Sequence, residues 1–168
     1  MVEGPRPDAL VRRYLAAFGP ANVTDAQRWS GLTRLGGVFE NLRPSLRVYH
    51  SDQGELFDLP DGRLADPEIP APVRFLPAYD NPLLGHVDRT RIIAYGDRKL
   101  VMPGGGQVLP TLLVDGFVAG TWGILGSTLH LTSFRPLSPP VVDQVHEEAE
   151  GLLGFLFPDD ENRAISVD

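Results

Sequence analysis

Basic side chains are concentrated near the start of this 168-residue chain, where they could bind phosphate groups. The first fifty residues hold seven arginines and four acidic residues, a balance of +3, whereas the whole chain has a net charge of −7. Because binding of nucleic-acid phosphates requires a basic surface, we expect any nucleic-acid contact in this segment. The candidate contact residues are Arg12, Arg13, Arg28, Thr33, Arg34, Arg43 and Arg47.

A second group of polar residues lies in the middle of the chain. Asp80, Asp88 and Arg89 are predicted to form an ionic cluster. We favour a structural role for it, in which the carboxylates accept hydrogen bonds from loop amides. The alternative is that Asp80 orients a substrate or a water molecule. Asp115 and Trp122 join this structural group, as a hairpin-tip residue and a core anchor.

Metal, cofactor and nucleophile chemistry have little support in the sequence. The chain has no cysteine, and His86 with Asp88 would supply only part of a metal-ligand set. The glycines at 104–106 lack the lysine and hydroxyl residue of a phosphate-binding loop, and no serine lies in a nucleophile elbow. We therefore expect no metal, no cofactor and no catalytic residue in this chain.

The composition indicates a globular protein of one ordinary domain or two small ones. Hydrophobic residues make up 42% and charged residues 22% of the chain, which is too apolar for a disordered protein. Neither a run of eighteen apolar residues nor a signal peptide is present. We expect no membrane association and a cytoplasmic location.

The first sixty residues have the pattern of a winged helix. Apolar spacing predicts helices at 8–18, 25–30 and 34–42, the last two capped by Thr24 and Thr33. Extended runs at 46–50 and 55–59 predict a β-hairpin behind them. Three short helices followed by a hairpin are typical of a winged helix, a helix-turn-helix variant with a β wing.

The remaining residues predict a β-rich domain of an α+β protein. A proline-rich linker covers 61–72, and the domain itself covers 73–157. Strands are expected at 73–76, 91–95, 99–102, 111–114, 117–123 and 127–134, forming a small antiparallel barrel-like sheet. A helix follows, with Ser138 as cap and Pro139 at its first position. Residues 158–168 are expected to be an acidic, frayed tail.

Three ordered blocks resemble the C-terminal half of the AlkZ-like family of bacterial winged-helix proteins. They are RYLAAFGPANVTDAQRWSGL at 13–32, FLPAYDNPLLGHVDR at 75–89 and PTLLVDGFVAGTW at 110–122. The resemblance implies tandem winged helices, a small β-barrel and DNA held in a cleft. It also implies kinship with DNA glycosylases that act on crosslinked or alkylated DNA. Their Gln-x-Gln motif belongs to an N-terminal half, and no such pair occurs in this chain.

Three functions remain open, in the following order. The first is a module that binds double-stranded DNA without catalysing a reaction. The second is an assembly domain that docks on a separately encoded N-terminal half. The third is an active DNA glycosylase, which the missing glutamine pair argues against, because glycosidic hydrolysis needs a positioned water and charge stabilisation.

Overall fold

The computed structural model of the protein describes residues 6–52, 54–66 and 68–168. Within this part of the chain, six helices and two sheets give a mixed α+β fold. The described residues divide into two compact units. Unit 1 comprises the described residues within Met1–Asp66 and Asn81–Asp88, and unit 2 comprises those within Pro67–Asp80 and Arg89–Asp168. The segment Asn81–Asp88 thus belongs to unit 1, although the sequence pattern placed it inside a continuous second domain.

Unit 1 is built from three helices, two antiparallel strands and one further short helix. The elements are α1 (Pro7–Phe18), α2 (Val23–Ser30), α3 (Gly36–Leu42), a 3-10 turn (Arg43–Ser45), β1 (Arg47–Ser51), β2 (Gly54–Asp58) and α4 (Asn81–Leu84). The pairing runs from Arg47 opposite Asp58 to Ser51 opposite Gly54. Position 53, in the predicted wing turn, lies outside the described residues.

The core of unit 1 is aromatic and lies between α1, α3 and β2. Tyr14 and Leu15 of α1 are buried beside Phe39 of α3 and Phe57 of β2. Phe39 and Phe57 meet edge to face, with ring centroids 5.1 Å apart, a geometry that adds to the gain from burial. Because these apolar residues recur at helical spacing, they share one face of each helix, and that face is buried in the core.

The caps of α2 and α3 differ from those expected. Asn22, and not Thr24, caps α2, because Asn22 and Asp25 form a reciprocal capping box, which satisfies two backbone donors at once. Helix α3 starts at Gly36 behind Leu35, without any side-chain cap. Thr33 therefore does not cap α3. Arg34 lies outside the helix, because its φ of 63° is left-handed.

Unit 2 is a five-stranded sheet covered by a long helix. Its elements are β3 (Arg74–Leu76), a 3-10 turn (Tyr95–Asp97), α5 (Arg98–Val101), β4 (Thr111–Val114), β5 (Phe117–Leu125), β6 (Thr128–Ser133), α6 (Pro139–Leu156) and β7 (Ala164–Val167). The strand order is β3-β4-β5-β6-β7. The expected β4–β5 hairpin is confirmed, and Asp115 and Gly116 at its tip have φ of 49° and 78°, as a type I′ turn requires.

The sheet is open and mixed, which corrects the expected antiparallel barrel. Strand β7 pairs in parallel with β6, and the described strands form no closed barrel. The expectation of a frayed tail is wrong for Ala164–Val167, because β6 offers this segment an edge to pair with. Ile165 of β7 also packs against the core of unit 2.

The core of unit 2 follows the two periodicities of its elements. Leu129 and Leu131 alternate along β6 and face α6, as side chains two apart in a strand must. On α6, Val145, Ala149 and Leu153 recur every four residues and are buried against the sheet. The predicted helix is therefore confirmed, with proline at its start, although Ser138 makes no side-chain cap hydrogen bond.

The strands expected at 91–95 and 99–102 are wrong. The structure has turns there, followed by the 3-10 turn and α5. Ile93, Asp97 and Val101 are buried, and their spacing of four residues fits helical turns better than the alternation of a strand. The apolar runs in this segment were too short for their periodicity to separate the two possibilities.

Candidate nucleic-acid interface

The turn between α2 and α3 is held by side chains of α2. The carboxylate of Asp25, only 3% exposed, accepts hydrogen bonds from the backbone N–H of Asn22 (3.0 Å) and of Val87 (2.8 Å). The side-chain oxygen of Gln27 accepts from the N–H of Leu35 at 2.9 Å. The Gln27 contact fixes the backbone just after Arg34 in this turn, whereas the Asp25 contacts fix the start of α2 and the segment at Val87.

Three of the predicted contact residues have exposed, unshielded guanidinium groups. Arg13 on α1, Arg28 on α2 and Arg34 in the turn are exposed, and the described residues include no carboxylate within ion-pair distance of them. Charges of this kind are available to an incoming phosphate group, since no internal ion pair competes for them.

Two further predicted contact residues are tied to polar groups of unit 1. Arg12 donates from Nη2 to the hydroxyl of Ser45 at 2.7 Å, and Arg47 donates from Nη1 to the carbonyl of Gly62 at 3.4 Å. Both partners are neutral, so each arginine keeps its net positive charge. Their side chains are oriented, and the remaining guanidinium donors stay available.

Arg43 is held by two carboxylates of its own unit. Its guanidinium donates to both oxygens of Glu40 (2.8 and 2.9 Å) and to both oxygens of Glu55 (3.3 and 2.6 Å). The same group lies over the ring of Phe57, with 5.0 Å from Cζ to the centroid, within cation–π range. These hydrogen bonds raise the pKa of Arg43 and lower the pKa of Glu40 and Glu55.

The Arg43 contacts connect the end of α3 to β2 and leave little basic charge on α3. With Glu40 occupied by Arg43, the exposed residues of α3 are Gly37, Glu40 and Asn41. The cluster of Glu40, Glu55 and Arg43 has two negative charges and one positive charge. Its net charge of −1 repels a phosphate group. The arrangement speaks for a structural role of Arg43 and against its role as a phosphate contact.

The aromatic surface beside α2 was missed by the sequence reasoning. Trp29 is 37% exposed, and its indole N–H donates to the side-chain oxygen of Asn81 at 3.2 Å. Its ring lies 5.4 Å from that of Tyr14 and 5.5 Å from that of Phe18. Two hydrogen bonds explain why Asn81–Asp88 packs with unit 1: the N–H of Val87 donates to Asp25, and the indole N–H of Trp29 donates to Asn81.

The residues of the predicted ionic cluster are assigned to different units. Asp80 and Arg89 belong to unit 2 and Asp88 to unit 1; all three are partly buried, and Asp88 and Arg89 both have interaction partners. The carboxylate of Asp115 accepts a hydrogen bond from the backbone N–H of residue 71 at 3.2 Å. This bond links the tip of the β4–β5 hairpin to the segment that precedes β3.

Trp122 is anchored as a core residue of unit 2. Its indole N–H donates to the carbonyl of Leu76 at 2.9 Å, and its ring meets Phe75 edge to face at 5.6 Å. Tryptophan combines apolar burial with a polar donor that needs a partner, and strand β3 supplies both. The residue therefore joins β3 to the sheet and takes no visible part in a reactive site.

Metal and membrane sites receive no support from the residues described. Among them, no group of three or more His, Asp or Glu side chains could hold a metal ion. No helix in the described part of the chain is both long and apolar enough to cross a bilayer.

The sequence model of the family described as DNA glycosylase AlkZ-like matches residues 2–155. The chain belongs to the AlkZ-like family. The match covers most of the chain and includes the three blocks from which the resemblance was inferred. A curated relative, the interstrand DNA cross-link repair glycosylase of Streptomyces sahachiroi, is 29% identical over 163 residues.

The fold of this family member is also found in a solved structure. The DNA glycosylase AlkZ of Streptomyces sahachiroi superposes with a TM-score of 0.77 at 23% identity and covers 99% of this chain. The matched region is 42% of the curated relative and 47% of the solved chain. The chain thus spans less than half the length of the AlkZ-like proteins that it matches.

Proposed function

We propose that this chain is a DNA-binding module of the AlkZ-like family and that unit 1 is a winged helix. Helices α1–α3 are the helical part, and β1 with β2 is the wing. Arg13, Arg28 and Arg34 contact backbone phosphates of a DNA duplex, with Arg12 and Arg47 as further contacts. The observation that carries the proposal is the set of exposed guanidinium groups that have no carboxylate partner among the described residues, in a chain of net charge −7.

The binding is proposed to depend on phosphates more than on base sequence. A base-reading helix needs side chains that reach groove edges, and the start of α3 has two glycines, Gly36 and Gly37. Glu40, near its end, is occupied by Arg43. Phosphate contacts position a protein on DNA without distinguishing sequences. Thr33 was also predicted to contact DNA. Its side chain does not cap a helix among the described contacts, and we keep it as a minor candidate.

Fluorescence anisotropy with a labelled duplex tests this proposal. Arg34→Ala is expected to weaken binding and to reduce the slope of log affinity against log salt by about 0.9, the value for one lost phosphate contact. Arg163→Ala is the control, because Arg163 is an exposed arginine of unit 2 and is not among the proposed contacts. Equal effects of the two variants, or no duplex binding at low salt, would refute the proposal.

A second measurement separates the role of Arg43 from that of Arg34. Arg43→Gln removes one positive charge but also frees Glu40 and Glu55. We expect it to lower thermal stability and to leave the salt slope of DNA binding unchanged. A slope reduced as much as in Arg34→Ala would return Arg43 to the list of phosphate contacts.

Glycosidic hydrolysis is assigned to the part of the AlkZ-like proteins that this chain does not match. Hydrolysis needs a positioned water and stabilisation of developing charge, and none of the described contacts forms such a group. Release of a base from alkylated duplex DNA by this chain alone would contradict this assignment.

A second candidate function is assembly with a polypeptide that carries the remaining portion of the glycosylase. The observation in its favour is that the matched region is less than half of the curated relative. The exposed carboxylates of α6, among them Asp143, Glu147 and Glu150, would suit a basic partner. Light scattering after size exclusion of the mixed polypeptides tests it: one co-eluting complex supports assembly, and two separate peaks refute it.

A further inference from the structure

Unit 2 has a basic segment of its own, at residues 89–107. This segment contains four basic residues, Arg89, Arg91, Arg98 and Lys99, and a single acidic residue, Asp97. The chain beyond it, 108–168, has two basic and nine acidic residues. The positive charge of 89–107 is therefore local and stands out from an acidic surrounding sequence.

The backbone of this segment is firmly attached to unit 2. Ile93, Asp97 and Val101 are buried. The carboxylate of Asp97 accepts two hydrogen bonds from the guanidinium of Arg135, at 2.7 and 3.0 Å, which raises the pKa of Arg135. The carbonyl of Val101 accepts from the N–H of residue 109 at 2.9 Å, and the carbonyl of residue 92 accepts from the N–H of residue 118 at 2.8 Å.

The opposite side of the segment presents an exposed aromatic ring followed, one helical turn later, by two cations. Tyr95 is 87% exposed, and Arg98 and Lys99 are exposed. The 3-10 turn continues directly into α5, and residues three and four apart in a helical turn lie on one face. Because Asp97 is already paired with Arg135, it offsets little of the charge of Arg98 and Lys99.

An exposed aromatic ring with cations nearby is suited to an unpaired nucleotide. The ring can stack on the face of a base while the cations bind the flanking phosphates. In an intact duplex both faces of an interior base are covered by neighbouring base pairs, so a surface tyrosine finds no free face there.

We propose that Tyr95, Arg98 and Lys99 form a binding site for unpaired nucleotides on unit 2. Tyr95 stacks on one base, and Arg98 and Lys99 contact its neighbouring phosphates. The site uses none of the unit 1 arginines, so it goes beyond the proposed duplex binding and can be tested separately from it.

The test measures anisotropy of the full chain with labelled oligothymidine, oligouridine and a fully paired duplex. Tyr95→Ala is expected to weaken oligothymidine binding roughly tenfold and to leave duplex binding unchanged. Tyr95→Phe keeps the ring and should remain within about twofold of wild type. Lys99→Ala should reduce the single-strand salt slope by about 0.7. Comparable binding of oligouridine would assign RNA as well as DNA to the site.

Phe155→Ala is the matched control, since Phe155 is an equally exposed aromatic (83%) on the acidic helix α6. The proposal is overturned if wild type does not bind oligothymidine at low salt. It is also overturned if Tyr95→Ala binds as wild type does, or if Phe155→Ala or Tyr95→Phe loses as much affinity. Arg34→Ala distinguishes the two proposals, because it should weaken duplex binding and spare oligothymidine binding.

Discussion

Asp25→Ala should destabilise unit 1 strongly, because one buried carboxylate serves two distant parts of the backbone. The substitution removes the acceptor for the N–H of Asn22 at the start of α2 and for the N–H of Val87. It leaves both donors without their partner in a site where Asp25 is 3% exposed.

The magnitude follows from the two hydrogen bonds to a charged acceptor. Each contributes about 1.5–3 kcal/mol, so their loss together should lower the free energy of unfolding by about 3–6 kcal/mol. A domain of ordinary stability has roughly 5–15 kcal/mol, and the midpoint of thermal unfolding should fall by on the order of 15 °C. Asn22→Ala removes only the other half of the capping box and should cost about 1 kcal/mol.

Urea unfolding followed by tryptophan fluorescence measures this effect. The chain has two tryptophans, so a Trp122→Phe background leaves Trp29 as the reporter of unit 1. Thr24→Ala is the control, because Thr24 is exposed and does not cap α2; it should change stability by less than about 0.5 kcal/mol. A loss below about 1 kcal/mol for Asp25→Ala, or equal losses for Thr24→Ala and Asn22→Ala, would refute the reasoning.

Two further predictions concern acid stability and strand packing. The pKa of Glu40 and Glu55 is lowered from 4.5 by hydrogen bonds from Arg43, so their stabilisation is present above pH 4.5 and is lost as pH falls through the lowered values. Thermal melts at pH 3–6 should show this loss in wild type and a flatter dependence in Arg43→Gln; identical profiles would contradict it. Gly120→Ala should destabilise unit 2, because a Cβ there would lie 2.6 Å from a carbonyl oxygen of β6, whereas Gly123→Ala, with no atom within 4 Å, should not. Calorimetry of both variants checks this difference.

Local patterns predicted helices α1, α2 and α6 and the β4–β5 hairpin well, but not the short helices α4 and α5. The apolar spacing of α1 and α6 and the Asp-Gly turn at Asp115 involve residues within a few positions of one another, so the printed sequence contains the whole signal. The cap of α2 was misplaced because two polar residues, Asn22 and Thr24, both suit a cap. Only the reciprocal bond with Asp25 decides between them.

The sequence predicted which arginines could form the candidate interface. It did not predict which of these arginines are engaged in ion pairs. The sequence offers Arg34 and Arg43 on equal terms, whereas in the structure Arg34 has no ionic partner among the described residues and Arg43 is paired with two carboxylates. The second carboxylate that binds Arg43 is that of Glu55 on β2, twelve residues away in the sequence. Spacing along the chain carries no signal for such a contact.

The amino-acid sequence by itself determined the family, the absence of cysteine chemistry, the arginine-rich start and the periodicity of the long helices. Tertiary structure alone decided which guanidinium groups stay exposed, that β7 joins the sheet in parallel, and that Tyr95 lies outward beside Arg98 and Lys99. The reason is that backbone propensity depends on near neighbours, whereas ion pairs, strand edges and burial depend on residues that only folding brings together.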